Sequence, residues 1–414
     1  MHPEPTATEG PAREPTPSGI SRSLVLLFAI TCGVSVSSLY VMQPVLEDIR
    51  TDFSISTSTA ALVVTAAQLG YAIGLLLLVP LGDLWNRKVL APSMMVASAG
   101  ALLLSALAPG FALLFIASIL VGISAATAQI VIPWSSSLAL PSDRGRVVGV
   151  VMSGLLLGIL LARVVSGVIA EFGGWRSVLF VGAGLMAVLA IVVYLVVPGD
   201  EARPHQAYGA LLLSVGRMIR TETMLRQRMV LGFLTMFGFS AMWTSLAFLL
   251  SGSRGERFSY SEAMIGIFGL AGVAGAAAAP MFGKLADRGH LRAATTAAWV
   301  ITIAGWLLLA WPGTPMAVLL IGLVVFDFGV QASQLSNQSA IYALAPEARS
   351  RVTTSYMVAY FTGAVAGSVA SGFAYGAGGW TALCAIGLGS SAAALALWAG
   401  FDRWNRRNRV SPSA

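Results

Sequence analysis

The chain has 414 residues, of which 57% are hydrophobic and 10% charged, with 44 glycines and a mean hydropathy of +0.80. Soluble domains carry roughly 25% charged and about 45–50% apolar residues. The composition therefore excludes an ordinary soluble enzyme, a disordered chain and a nucleic-acid binder, and it places most of the protein in lipid. The formal net charge of +7 matters by its placement, not as a sign of anionic partners. Cys32 and Cys384 lie far apart in apolar runs, and His2, His205 and His290 fall in polar segments. No disulfide framework, metal-ligand spacing or His-based triad can be built from them.

Residues 1–21 are rich in Pro, Thr, Glu and Gly and read as a disordered tail, without the basic n-region and cleavage site of a signal peptide. A bilayer core of about 30 Å takes roughly 20 apolar residues per helix. Twelve such stretches follow, near 22–46, 58–82, 89–108, 111–138, 147–170, 175–197, 229–251, 262–286, 293–311, 315–343, 352–376 and 380–401. Backbone groups in hydrocarbon must be satisfied internally, so these are predicted helices; barrel strands would alternate polar and apolar residues. Tight turns are expected at Pro109-Gly110, Trp311–Thr314 and Gly376–Gly379.

The long polar stretch 198–228 divides the chain into six-helix halves, 22–197 and 229–401, followed by a basic tail, 402–414. Within it Ala210–Val215 is expected to lie as a short amphipathic helix on the membrane surface. With both termini inside, the inner loops hold most of the basic residues, including Arg87, Lys88, Arg144, Arg146, Arg226, Arg228, Arg288, Arg349, Arg351 and Arg406. The outer loops hold Arg50, Arg176, Arg254 and Arg257. This asymmetry predicts cytoplasmic termini.

The halves are related copies. Shifted by 205 positions, Pro141, Arg144, Arg146, Val147, Met152 and Gly158 fall on Pro346, Arg349, Arg351, Val352, Met357 and Gly363. Further on, Gly173-Gly174-Trp175 falls on Gly378-Gly379-Trp380. A shift of 204 places Gly82-Asp83 on Ala286-Asp287. An internal repeat of this length defines the architecture as two parallel six-helix units.

After the second span the chain reads Pro80-Leu81-Gly82-Asp83-Leu84-Trp85-Asn86-Arg87-Lys88, and after the eighth Gly283-Lys284-Leu285-Ala286-Asp287-Arg288-Gly289-His290-Leu291-Arg292. Physically, Gly82 permits a tight turn, Asp83 can cap the third helix, and Arg87 and Lys88 can rest among lipid headgroups. Both segments resemble the Gly-x-Leu-Ala-Asp-Arg-x-Gly-Arg-Arg loop of the major facilitator superfamily. The resemblance covers nearly the whole chain and implies an all-α membrane protein of twelve helices in two halves. It also implies that Gly82, Asp83, Arg87, Lys88, Gly283, Asp287 and Arg288, with Arg144, Arg146, Arg349 and Arg351, belong to loops that gate the inner side. Tyr40-Val41-Met42-Gln43-Pro44 and the glycines Gly154 and Gly158 resemble the drug/proton antiporter branch. The chain departs from that branch at Ser118, where an Arg is usual, and at Ile159, where a Pro is usual.

Asp327 is the acid that no loop, tail or helix end accounts for. Charged groups in hydrocarbon cost at least about 2.5–3.5 kcal/mol and usually face a cavity or a partner. Gln331, Gln334 and Gln338 share its helix face at steps of four, three and four, with Asn337 alongside. Two readings stand: the stripe lines a central cavity, or it forms a buried polar network that packs the second half. Arg163 is the one basic residue inside a span. It can approach Asp327 across the halves, bind an anionic substrate, or meet backbone carbonyls. Tyr40, Gln43, Gln68, Tyr71, Gln129, Trp134, Trp243, Tyr356 and Tyr360 are further candidates for the cavity wall.

These features predict a secondary transporter, not an enzyme, whose halves rock about a midplane site. The chain carries no nucleotide-binding loop, no metal site and no cofactor motif, so a proton gradient is the expected energy source. The expected partners are the lipid bilayer, protons and a small amphipathic neutral or cationic substrate, in a monomer of the plasma membrane. Proton-driven export is the first reading; proton-coupled uptake or uniport of a small metabolite is the second. A membrane enzyme or receptor would need a titratable cluster or a soluble domain that is not apparent in the sequence.

Overall fold

A computed structural model describes residues 20–140, 142–199, 208–252, 258–272, 278, 281–282, 284–285, 288–311, 313, 315–342, 344 and 349–409. The described residues form helices and connecting turns, without a strand. In order these are α1 Arg22–Ser37, α2 Leu46–Asp52, α3 Thr57–Leu77, α4 Arg87–Ala106, α5 Phe111–Ala125, α6 Thr127–Ser137, α7 Arg144–Gly173 and α8 Trp175–Val196. Then come α9 Tyr208–Thr221, α10 Thr223–Ser251, α11 Glu262–Ile267, α12 Leu291–Leu309, α13 Met316–Tyr342 and α14 Arg349–Arg409. Nine helical stretches among the described residues are long and apolar enough to cross a membrane, and Arg22–Ser37 and Glu262–Ala271 are shorter apolar helices. α14 is bent at Gly378 and Gly379, where the backbone leaves helical angles, so it makes two passes back to back. The arrangement is consistent with twelve spans.

Local chemistry sets the helix starts. Ser21 and Ser56 cap α1 and α3 by accepting from the backbone N–H of Leu24 at 3.3 Å and Thr59 at 3.1 Å. The turn expected at Gly376–Gly379 falls at Gly379, whose φ of +61° suits a residue without a side chain.

Three sequence expectations are corrected. The first span does not run unbroken to residue 46. It ends at Ser37, and Tyr40–Pro44 forms a largely buried turn before α2, across which Pro44, without an N–H, prevents the helix from resuming. Asp83 does not cap the third helix: Asn86 does, its side chain accepting from Lys88 N–H at 2.9 Å. Arg87 is not among headgroups but buried, donating to Gly82 O at 2.7 Å and Asp83 Oδ1 at 3.1 Å. A guanidinium has enough donors to replace its hydration in this way. Lys88 is half-buried beneath the Tyr194 ring, and Arg144, Arg146 and Arg288 are exposed. Gly283 and Asp287 lie outside the described residues, as does the side chain of Arg349; Arg351 is half-buried. The amphipathic segment expected at 210–215 is part of the longer α9.

Glycines hold the helices of each half together at backbone contact. A Cβ on Gly154 or Gly158 of α7 would fall 2.3 Å from Ala29 O and 2.2 Å from Gly33 O of α1. On Gly363 or Gly367 of α14 it would fall 2.1 Å from Phe233 O and 2.1 Å from Phe237 O of α10. Both halves thus join their corresponding helices by glycine against backbone, although of these glycines only Gly158 and Gly363 are equivalent under the 205-residue shift.

Contacts between the halves gather from mid-span to the face opposite the termini, called the far face below. A Cβ on Gly167 would meet Glu262 O at 2.2 Å, and one on Gly266 would meet Arg163 O at 2.3 Å. At the second seam, Gly372 lies against Ser58 and Ala61 of α3.

Candidate functional site

The break after α1 brings Gln43 against α7. Arg163 Nε donates to Gln43 Oε1 at 2.9 Å, and both residues are buried. The Arg163 guanidinium lies over three rings, those of Trp243 at 4.0 Å, Tyr40 at 5.1 Å and Phe239 at 5.7 Å. Such stacking is stronger when the cation is desolvated. Trp243 belongs to α10, so the contact crosses between halves. Its indole Nε1 donates to Asp327 Oδ1 at 3.2 Å. Arg163 and Asp327 form no direct ion pair among the described residues; they face the same indole, one over its ring and one at its N–H. Gly272 leaves room beside Asp327, since a Cβ there would come within 3.2 Å of Oδ2.

A second strand of contacts runs through α3. Gln68 accepts from Ser240 Oγ at 3.0 Å, and Tyr71 packs edge-on against Phe361 with ring centres 4.4 Å apart. Gln129 donates to Tyr71 Oη at 3.2 Å. Thr65 Oγ1 donates to Ser368 Oγ at 2.9 Å. Except for the Gln129 bond, each of these contacts joins the two halves. Tyr360 donates to Gln334 Oε1 and packs beside Tyr356, with ring centres 5.8 Å apart.

The stripe on α13 is therefore divided. Asp327 faces Trp243, Gln334 faces Tyr360, and Gln331 and Gln338 are half-buried. Asn337 turns elsewhere and accepts from Arg228 Nη1 at 3.2 Å, inside the second half. Trp134 is fully buried against Phe28, with ring centres 5.2 Å apart. Sequence reasoning did not single out Thr65, Ser240 or Ser368, because a serine or threonine in a helix usually bonds to its own backbone, nor Phe361, which reads as one apolar residue of a span. It also placed Arg228 in a polar inner segment. The structure buries that residue, because α12, α13 and both arms of α14 close around the start of α10.

The site can hold a proton on Asp327 away from water, and Arg163 can present a positive charge to it or to a ligand. It contains no cluster of His, Cys, Asp or Glu able to bind a metal among the described residues.

Paired bundles of apolar helices, joined at mid-span by a few polar side chains, define a multi-pass membrane transporter. The chain belongs to the Major Facilitator Superfamily, whose family model matches residues 26–330 and 229–413. It is 43% identical over 390 residues to an uncharacterized transporter, YgaY, of Escherichia coli O157:H7, with 94% of this chain and 98% of that one covered. It is 32% identical over 389 residues to the transporter SCO4007 of Streptomyces coelicolor, covering 93% and 90%. A chloramphenicol resistance protein of Streptomyces lividans is 24% identical over 295 residues, covering 71% and 72%. The solved structure of the nucleoside transporter NupG superposes with a TM-score of 0.76 at 14% identity, covering 91% and 99%, a likeness of fold alone.

Proposed function

We propose that this transporter is a proton-coupled exporter of small amphipathic organic compounds, working as a monomer in the bacterial plasma membrane with both termini in the cytoplasm. The observation that carries the reading is the buried acid Asp327, linked to Arg163 of the other half through Trp243. Protonating Asp327 removes its attraction for the guanidinium and so changes the energy of the contact that joins the halves. A proton can then be coupled to rocking without any other energy source. The aromatic and amide side chains gathered at mid-span (Tyr40, Tyr71, Gln129, Gln334 and Tyr360) suit contact with a neutral or cationic amphipathic compound once the halves part. Similarity to a resistance protein of Streptomyces lividans favours export, as does the Tyr-x-x-Gln-Pro segment.

The basic loops lie on the terminus face, and that distribution of charge supports reading the face as cytoplasmic. The far face is then the outer side, and the state described is closed there. Proteoliposomes carrying an internal pH dye test the proposal. Adding amphipathic cations or neutral antibiotics should trigger proton movement, and Asp327→Asn should abolish it. Compound-triggered proton movement that survives in Asp327→Asn would remove that residue from coupling.

A second reading is favoured by one observation. Arg163 Nη2 is buried without a hydrogen-bond partner, as is Gln43 Nε2. Two unused donors side by side would suit a carboxylate substrate and proton-coupled uptake. Small organic acids in the same assay, with the sign of proton movement, separate symport from antiport.

A further inference from the structure

Arg228 has the unusual position of a buried cation without an acid. It sits near the start of α10 at 2% exposure. Its Nη1 donates to Thr295 Oγ1 of α12 at 3.1 Å and to Asn337 Oδ1 of α13 at 3.2 Å. Its guanidinium lies 4.7 Å from the ring centre of Trp398, on the later arm of α14. Tyr356, on the earlier arm, is the titratable neighbour within electrostatic reach. No carboxylate pairs with it among the described residues. An ion taken out of water without a counter-charge is strongly destabilising, and a ring face offsets only part of that.

Several donors around this cation are left without a well-formed acceptor among the described residues. Among the described residues Arg228 Nε, Asn337 Nδ2 and Tyr356 Oη have no partner in full hydrogen-bond geometry, and Asn337 and Tyr356 are completely buried. The Asn337 amide is turned toward the Tyr356 phenol oxygen but short of full hydrogen-bond geometry, so the phenol O–H remains unused, and the ring is held against Gly232, where a Cβ would come within 2.5 Å of it. Gln227, next to Arg228, exchanges two hydrogen bonds with Asn405 at 3.4 and 3.0 Å and covers the cluster from the terminus face. A positive charge ringed by unused N–H and O–H donors is complementary to a compact anion.

We propose that Arg228, Asn337 and Tyr356 form a buried site for a small monovalent anion of halide size within the second half. The site is separate from Asp327: Asn337 lies ten residues further along the same helix, about 15 Å away. The proposal stands whatever the substrate or coupling of the transporter. The bound anion neutralises Arg228 and ties together α10, which carries Trp243, α13, which carries Asp327, and both arms of α14. Its effect is therefore on the rigidity of the half that holds the acid.

The test is the thermal stability of the full-length protein in detergent, at fixed ionic strength, with chloride or bromide exchanged for gluconate, which is too large to enter. The expected result is an unfolding temperature that rises with chloride and saturates, likewise with bromide. Equal temperatures in all three salts would overturn the site. Asn337→Asp supplies a fixed carboxylate in place of the anion, so it should be as stable in gluconate as the unaltered protein is in chloride, and should no longer respond to chloride. A chloride response that persists in full in Asn337→Asp would also overturn the proposal. Inorganic phosphate and acetate in the same titration distinguish a halide-sized site from a general oxyanion site: a response to phosphate alone would refute the halide assignment.

Discussion

The guanidinium of Arg163 lies 4.0 Å from the centre of the Trp243 ring, and the N–H of that ring points away from it to Asp327 at 3.2 Å. One aromatic side chain is thus common to a cation from one half and an anion from the other. Replacing Trp243 by Phe keeps a ring for Arg163 and removes the donor to the carboxylate. A hydrogen bond to a charged group contributes about 1.5–3 kcal/mol. Compound-driven proton flux in Trp243→Phe should fall by roughly ten- to a hundredfold at that magnitude. Flux equal to that of the unaltered protein would show that the indole N–H has no part in coupling.

The closed far face rests on glycines that admit no side chain. Gly167→Leu would drive its Cβ into Glu262 O, 2.2 Å away, and Gly266→Leu would strike Arg163 O at 2.3 Å. Both contacts lie between halves, so the strain is relieved by opening the far face. With Ser58→Cys as a reporter, labelling by a membrane-impermeant maleimide should increase at least about threefold in either variant, an increase that corresponds to well under 1 kcal/mol of shifted equilibrium. The native Cys32 and Cys384 are buried and contribute little background. Unchanged labelling would mean that these glycines pack the seam without controlling it.

At the same face Asp48 of α2 meets Glu262 of α11. Burial first, then the neighbouring Glu262, with Glu47 adding to it, pushes the Asp48 carboxyl up to about 7. Glu47 is itself paired with Arg50, and Glu171 of α7 accepts from Ser261 Oγ at 3.1 Å nearby. A raised carboxyl holds its proton more tightly in the joined state than when the halves part. Joining is therefore favoured below about pH 7 and weakened as the pH rises through that value. Labelling at Ser58→Cys should be greater at about pH 8 than at about pH 6, once corrected for the reagent's own pH dependence. Asp48→Asn should flatten the difference, and a difference that survives in Asp48→Asn would assign it to another group.

On the terminus face, Arg87 clasps Gly82 O and Asp83. Arg87→Ala removes charge-assisted bonds from a buried carbonyl and a half-exposed carboxylate, and should lower stability by about 1–3 kcal/mol. Thermal unfolding in detergent measures it. Asp83→Asn keeps an acceptor for Arg87 and should cost less than Arg87→Ala; the reverse order would show that the carboxylate has a separate role.

The helices were legible in the sequence because a membrane span depends on length and apolarity, and the halves were legible because the loops and glycines of 141–175 recur at 346–380. Asp327 and Arg163 stood out for the same reason, as charges in hydrocarbon. What the sequence did not reveal depends on three-dimensional register. Trp243 reads in the sequence as one cavity-wall candidate among several, and its contact with both charges depends on how α10 is turned. Asn337 falls on the stripe of Asp327, yet the rotation of α13 over ten residues turns it to Arg228. Thr65 and Ser368 are common residues at unremarkable positions, and their pairing depends on how α3 crosses α14.

Under the 205-residue shift Arg163 falls on Ser368, so the two seams between the halves are built on equivalent positions with unequal chemistry. Ser368 shares with Thr65 a hydroxyl bond, and both also reach the carbonyl of Ala61, at 3.2 Å each. A hydroxyl can exchange one such acceptor for the next as the helices turn. Arg163 is lodged against Gly269, where a Cβ would fall 2.9 Å from its own Cβ, and its head is fixed by Gln43 and Trp243. One seam can give by degrees and the other only at once. A frame made by doubling would thus open lopsidedly, α3 sliding away from α14 by exchange of hydroxyl bonds while α7 breaks abruptly from α10 and α11.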